Sequence, residues 1–143
     1  MEKPIISLIA SAIRVHLWPE LYTMLCNKNN VKFEIIFVGP LDVEYWQELC
    51  ATFPAYSSME NFHFIHSDAK PVQCVEIACR NAIGEFVMLI ADDLLFYPET
   101  LNAMYDYAMR IWDEKTIVSI RFSDKTEGPP MDNLSSINIA FLS

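Results

Sequence analysis

The sequence predicts an α/β domain with a mostly parallel sheet and helices on both faces. Short apolar runs of strand length alternate with stretches whose apolar residues recur at helical spacing. Pro, Gly or polar residues separate these segments, as connections between elements require. The run over residues 86–90 is apolar throughout, which is typical of a central strand that is covered on both sides. The 143 residues fit a single domain over residues 1–143.

Six apolar runs predict strands, at residues 5–10, 33–38, 62–65, 86–90, 116–120 and 137–142. The last of these could be an edge strand, because the pattern weakens in the polar loop before it. Strands that alternate with helices pair in parallel through right-handed crossovers. Ligands of such open sheets bind beyond the carboxyl ends of the strands.

Four stretches with an apolar helical face predict helices, at residues 17–25, 43–53, 72–82 and 98–112. Pro19 suits a first turn, and Pro98 with Glu99 is expected to open the fourth helix. Gly84 is expected to close the third helix as its C-cap.

Composition excludes several classes of function. The net charge of −9 argues against nucleic-acid binding, which depends on basic contacts with phosphates. Three glycines are too few for a phosphate-binding loop or a dinucleotide fingerprint. The four cysteines form no C-x-x-C pair, so we interpret them as free thiols of a cytoplasmic protein. No apolar run reaches the length of a transmembrane span.

Two carboxylates follow the predicted central strand directly. Asp92 and Asp93 come after the apolar run and therefore lie at the ligand-binding edge of the sheet. Neighbouring carboxylates repel each other unless they share a proton or bind a cation. Oxygen ligands favour Mg²⁺ or Mn²⁺, which usually bind one or two carboxylates together with substrate phosphates. Alternatively, one aspartate caps the following helix, or the pair lies in a solvated turn.

Residues 84–101 carry a more specific pattern. Gly84-Glu85-Phe86 leads into the apolar strand, the acidic pair follows, and Pro98 lies five residues after Asp93. In this order of features the sequence resembles the family 2 glycosyltransferases of the GT-A fold, over about residues 4–122. The resemblance implies a Rossmann-like sheet that binds a nucleotide-diphosphate sugar through Mn²⁺ or Mg²⁺ and transfers the sugar to a hydroxyl acceptor.

The resemblance also implies roles for individual residues. Asp93 would bind the metal, and Asp92 would lie near the ribose or the sugar. Ser11, at the end of the first strand, would contact the nucleoside, and Lys70 would lie near the nucleotide. The turn that contains Asp68 follows the third strand, so its position predicts that it lines the nucleotide pocket.

The catalytic base is not identified by the sequence. Inverting family members use a carboxylate from the acceptor-binding half, and three candidates occupy one polar loop: Asp124, Glu127 and Asp132. We expect that the acceptor-binding half is largely absent from residues 1–143. Three functions stay open: a metal-dependent glycosyltransferase, a non-catalytic relative that acts as a binding or interaction module, and a nucleotidyltransferase on a similar sheet.

Overall fold

A computed structural model describes residues 3–110, 117–122 and 135–141, and it contains a six-stranded sheet in the order β3-β2-β1-β4-β6-β5. Strands β1 to β4 are parallel, whereas β6 runs antiparallel to both β4 and β5. The strands are β1 (Ile6–Ser11), β2 (Phe33–Gly39), β3 (Phe62–His66), β4 (Phe86–Leu89), β5 (Ile117–Phe122) and β6 (Ser135–Phe141). The mostly parallel sheet is confirmed.

In the part of the chain that the structure describes, five α-helices connect or cover these strands: α1 (Trp18–Cys26), α2 (Val43–Thr52), α3 (Pro54–Ser57), α4 (Pro71–Asn81) and α5 (Thr100–Arg110). A short 3₁₀ helix, Val15–Leu17, precedes α1. The structure adds α3, which Pro54 opens directly after the end of α2. The prediction of an α/β alternation is therefore confirmed over the described part of the chain up to α5.

Helices cover both faces of the sheet, as the sequence predicts. On one face, Cys74 and Ala78 of α4 pack on Ile9, Ile36 and Val38. The other face carries the larger core, to which α1 and α5 contribute Trp18, Leu21, Leu25, Leu101, Met104 and Ala108. Coverage on both sides explains why β1, β2 and β4 are largely apolar in consecutive positions rather than in alternation.

The last strand corrects one expectation. β6 is not an edge strand, since it lies between β4 and β5, and β5 forms the edge. β1 pairs with one side of β4, and the backbone groups on its other side need hydrogen-bond partners, which the antiparallel β6 supplies. The apolar pattern shows that a strand exists, but it does not show which neighbour the strand pairs with.

Two predicted helix boundaries also differ. α5 begins at Thr100, and Glu99 adopts a left-handed conformation with φ of 65°, so Pro98 and Glu99 lie in the preceding turn. α4 ends at Asn81 with an extended C-cap at Ala82, so Gly84 is not the cap. Gly84 is instead required by close packing, because a Cβ there would lie 2.6 Å from the Ser7 hydroxyl oxygen.

A buried polar cluster lies near the amino ends of β1 and β2. The Ser7 hydroxyl donates to Glu34 Oε2 at 2.6 Å and accepts from the Gly84 N–H at 2.8 Å. The Ile83 N–H donates to the same Glu34 oxygen at 2.8 Å. These bonds hold the segment that leads into β4, and they supply donors to the carboxylate of Glu34, which is 3% exposed. The sequence analysis did not identify this cluster.

Candidate functional site

The carboxyl ends of the parallel strands bring distant loops together. Ile90 extends the pairing of β4 with β1, because its N–H donates to the Ile9 carbonyl at 2.9 Å. The loop that begins at Ala91 therefore lies beside the loop that follows Ser11. On the other side of β1, the Ala12 N–H donates to the Val38 carbonyl at 3.0 Å, which continues the pairing with β2.

Gly39 allows the loop after β1 to lie close to the end of β2. A Cβ at Gly39 would overlap the Ala12 carbonyl oxygen, which is a backbone atom that cannot swing away. Gly39 also accepts a hydrogen bond from the Ser67 N–H at 2.8 Å, which joins the turn after β3 to the same edge. A glycine is therefore needed here for space.

Asp92 is buried and fully engaged by the loop after β1. Its Oδ2 accepts hydrogen bonds from the Ile13 N–H at 2.9 Å, the Arg14 N–H at 2.7 Å and the Trp18 indole N–H at 3.1 Å. Its Oδ1 accepts from Arg14 Nη1 at 2.8 Å. Only 1% of the Asp92 side chain is exposed. The carboxylate thus holds the loop after β1 in one conformation.

The environment of Asp92 keeps this carboxylate ionised. Burial acts to raise the pKa of Asp92, but hydrogen bonds from the Arg14 backbone, the Trp18 indole, the Arg14 guanidinium and the Ile13 backbone outweigh it and lower the pKa. The same contacts raise the pKa of Arg14, chiefly through its hydrogen bond to Asp92 and then through the two carboxylate charges. Both groups are charged at neutral pH.

Asp93 differs from its neighbour. Its side chain is 47% exposed, and Asp93 Oδ2 lies 3.9 Å from Nε of Arg14. Arg14, 46% exposed, therefore stands between an inner and an outer carboxylate. The adjacent aspartates have distinct environments: Asp92 binds the protein itself, and Asp93 is accessible to a ligand.

Of the two aspartates, Asp93 is the one that a divalent cation can reach. Asp92 is enclosed by protein donors, and the described residues contain no group of three or more His, Cys, Asp or Glu side chains that could hold a metal. One exposed carboxylate is compatible with Mg²⁺ or Mn²⁺ when substrate phosphates and water complete the coordination. The donor set therefore suits a metal that arrives with a phosphate ligand, rather than a metal held by the protein alone.

The turn after β3 contributes a second group of polar residues. His66 Nδ1 lies 2.9 Å from the Leu41 carbonyl, and Nε2 lies 3.3 Å from Asp68 Oδ2. The Leu41 carbonyl, followed by the carboxylates, raises the pKa of His66 despite some desolvation. Asp68 is exposed, and so is Lys70, whose N–H donates to the Gln73 side chain at 3.1 Å. These two side chains are accessible to a ligand.

The predicted residues fall into three positions. Asp92 and Asp93 lie with the loop after β1, Ser11 lies half-buried at the end of that strand, and Asp68 and Lys70 lie on the turn after β3. The contacts of all five with a nucleotide sugar stay predictions. The loop with Asp124, Glu127 and Asp132 lies outside the described residues. Sequence reasoning missed the partners of Asp92, since Arg14 and Trp18 are 78 and 74 positions away.

Solved structures with a similar fold were found, whereas no protein-family model and no curated protein matches the sequence. Staphylococcus aureus TarS 1–349 aligns over 89% of this chain with a TM-score of 0.66 and 18% identity. The same protein has been solved with UDP-GlcNAc. The mannosyltransferase PcManGT from Pyrobaculum calidifontis, solved with GDP-Man and Mn²⁺, aligns over 76% of the chain with a TM-score of 0.55 and 16% identity.

The chain has the fold of the GT-A glycosyltransferases. This confirms the fold that the sequence resemblance implies. The bifunctional IspDF from Campylobacter jejuni also aligns, over 98% of the chain with a TM-score of 0.56 and 12% identity. The chain spans 38% of the length of TarS 1–349 and 33% of PcManGT. No helix among the described residues is long and apolar enough to cross a membrane.

Proposed function

We propose that this GT-A domain binds a nucleotide-diphosphate sugar and transfers the sugar to a hydroxyl acceptor. The observation that carries the proposal is the difference in environment between the buried Asp92 and the exposed Asp93 at the carboxyl end of β4. One carboxylate fixes the loop after β1, and the other is presented to solvent at the same edge. This edge is where open α/β sheets bind their ligands.

Each residue has a defined task in this proposal. Asp93 binds Mn²⁺ or Mg²⁺, which would supply charge stabilisation for the leaving nucleoside diphosphate. Asp92 acts as a positioning residue, because its oxygens are engaged by the loop that it holds. Ser11, Asp68 and Lys70 line the nucleotide part of the site.

Similar folds support this class of ligand. UDP-GlcNAc is bound by TarS and GDP-Man with Mn²⁺ by PcManGT, and the two proteins align with 89% and 76% of this chain. We propose that residues 1–143 form one donor-binding domain. Asp124, Glu127 and Asp132 stay the candidates for the catalytic base.

A non-catalytic binding or interaction module is the second candidate. The inward engagement of Asp92 favours it, because only one carboxylate of the pair is left for a metal. Such a module would keep the fold without binding a nucleotide sugar productively.

Calorimetric titration tests the proposal. UDP-, GDP- and TDP-sugars are titrated into the full chain, with Mn²⁺ and with EDTA. We expect one nucleotide class to bind with Mn²⁺ and to bind at least about tenfold more weakly with EDTA, because the diphosphate loses a charge-neutralising ligand. Asp93→Asn should reproduce the effect of EDTA in the presence of Mn²⁺.

Asp106→Asn is the matched control. Asp106 is an exposed carboxylate on α5, so its substitution makes the same change in net charge and should leave the affinity unchanged. Absence of binding by every nucleotide sugar in the unmodified chain would reject the donor-binding proposal and favour the interaction module. Binding that is insensitive to both EDTA and Asp93→Asn would reject the metal role of Asp93.

A further inference from the structure

We infer that Arg14 is a diphosphate-binding residue of the donor site, which deepens the proposed function and rests on it. The residue follows β1 rather than β4, and the acidic pattern of the sequence gives no indication of it. Arg14 contacts both carboxylates of the pair: Nη1 lies 2.8 Å from Asp92 Oδ1, and Nε lies 3.9 Å from Asp93 Oδ2.

The guanidinium is held in place before any ligand arrives. Its hydrogen bond to Asp92 is charge-assisted, and the Arg14 backbone N–H is bound to the same carboxylate at 2.7 Å. The side chain is nevertheless 46% exposed, so part of the guanidinium remains accessible. A cation that is already oriented loses little conformational freedom when it binds a phosphate oxygen.

The negative charge of the site favours a cation that binds phosphate. Arg14, Asp92 and Asp93 together carry a net charge of −1, and the whole chain carries −9. A divalent metal on Asp93 would make the local charge +1, which would not fully neutralise a diphosphate. Arginine presents a planar fork of N–H donors that matches phosphate oxygens. If Arg14 were replaced by a neutral residue, the two aspartates and a divalent metal would together be neutral.

Asp93 would hold the metal, although Arg14 also lies near this carboxylate. The long distance of 3.9 Å between Arg14 and Asp93 indicates a weak ion pair that a metal can displace. Phosphate oxygens would attract both cations and relieve the repulsion between them. Asp92 would keep Arg14 in the site, and Asp93 would be the carboxylate that holds the metal.

Diphosphate affinity of the full chain tests this role. UDP and GDP are titrated with Mn²⁺ into the unmodified chain, Arg14→Gln and Arg14→Lys, and UMP and GMP serve as probes that lack the second phosphate. Arg14→Gln should weaken the binding of the preferred diphosphate by about tenfold or more, and that of the monophosphate by less. Arg14→Lys should retain part of the affinity, because it keeps the charge and loses the fork.

Arg80→Gln is the matched control, since Arg80 is an exposed arginine of α4 that pairs with Glu76. It changes the net charge equally and should alter the affinity by less than about twofold. Folding of Arg14→Gln is verified by its thermal midpoint, and we expect the fold to persist because Asp92 keeps its two backbone donors and Trp18.

The two proposals fail in different ways. Diphosphate binding that is lost in Asp93→Asn but equal or tighter in Arg14→Gln would overturn the role of Arg14 and leave the donor site standing. No diphosphate binding by the unmodified chain would overturn both.

Discussion

Asp92→Asn should destabilise the protein strongly, whereas the same substitution at Asp93 should not. The amide is nearly isosteric with the carboxylate and removes only its charge and one acceptor. The amide oxygen can keep the three donors at the Oδ2 position, but the amide nitrogen would then face Nη1 of Arg14. The substitution thus isolates the electrostatic part of the interaction.

The magnitude follows from the contacts. Hydrogen bonds to a charged acceptor contribute about 1 kcal/mol more than neutral ones, and three of them end on Oδ2. The ion pair with the half-exposed Arg14 adds no more than about 1 kcal/mol, because solvent screens it. We expect a loss of about 3 kcal/mol at neutral pH, which lowers the melting midpoint of a 143-residue chain by roughly 10 °C. Asp93→Asn should change stability by less than about 0.5 kcal/mol.

Urea unfolding of both variants measures these differences, and its pH dependence provides a second check. Burial acts to raise the pKa of Asp92, yet the donors hold it below its ordinary value near 3.8. The stabilisation is therefore fully present above about pH 4 and is lost as the pH falls through the lowered pKa. The gap between the unmodified chain and Asp92→Asn should close over that acidic range. Equal stabilities of the two asparagine variants at neutral pH would refute the role given to Asp92.

Three further predictions concern the surroundings of the site. Gly39→Ala should cost about 2 kcal/mol in urea unfolding, because its Cβ would overlap the Ala12 carbonyl, and an unchanged midpoint would contradict this geometry. Ser7→Ala should cost about 2 kcal/mol in the same assay, since the Gly84 N–H loses its acceptor, and a stabilised variant would be inconsistent with the buried cluster. NMR titration should give His66 a pKa above 6.5, because chiefly the Leu41 carbonyl raises it. The contribution of protonated His66 to stability is therefore present below pH 6.5 and is lost as the pH rises through the raised pKa. A measured pKa below 6.5 would exclude the contact between His66 and Leu41.

Much of the fold could be predicted from the sequence because the spacing of apolar residues indicates which faces of a strand or helix are buried. Apart from Ser7 and Glu34, the runs that become β1, β2 and β4 are apolar at consecutive positions, and residues from all three strands belong to the cores on both faces of the sheet. The position of β6 could not be predicted in this way. Its pairing with β4 depends on which strand edge lacks a partner, and that is a property of the assembled sheet.

The candidate site was predicted only in part, for a similar reason. The order of elements places Asp92 and Asp93 beyond the carboxyl ends of the parallel strands, but it does not show that the two residues have different environments. That separation depends on which side chain turns toward the loop after β1, and the donors come from residues 13, 14 and 18. Contacts between positions so far apart leave no periodic signal within either segment.

The hydrogen bonds to Asp92 also impose an order on folding while the chain is being synthesised. β1, β2 and β3 can pair while the polypeptide is still emerging from the ribosome, but the loop after β1 must wait for a residue 78 positions beyond Arg14. Nascent chains that end before β4 should therefore leave this loop open to protease, and those in which Asp93 has left the ribosome should protect it. Ligand capture by ribosome-bound chains of increasing length would then report the moment at which this connection forms.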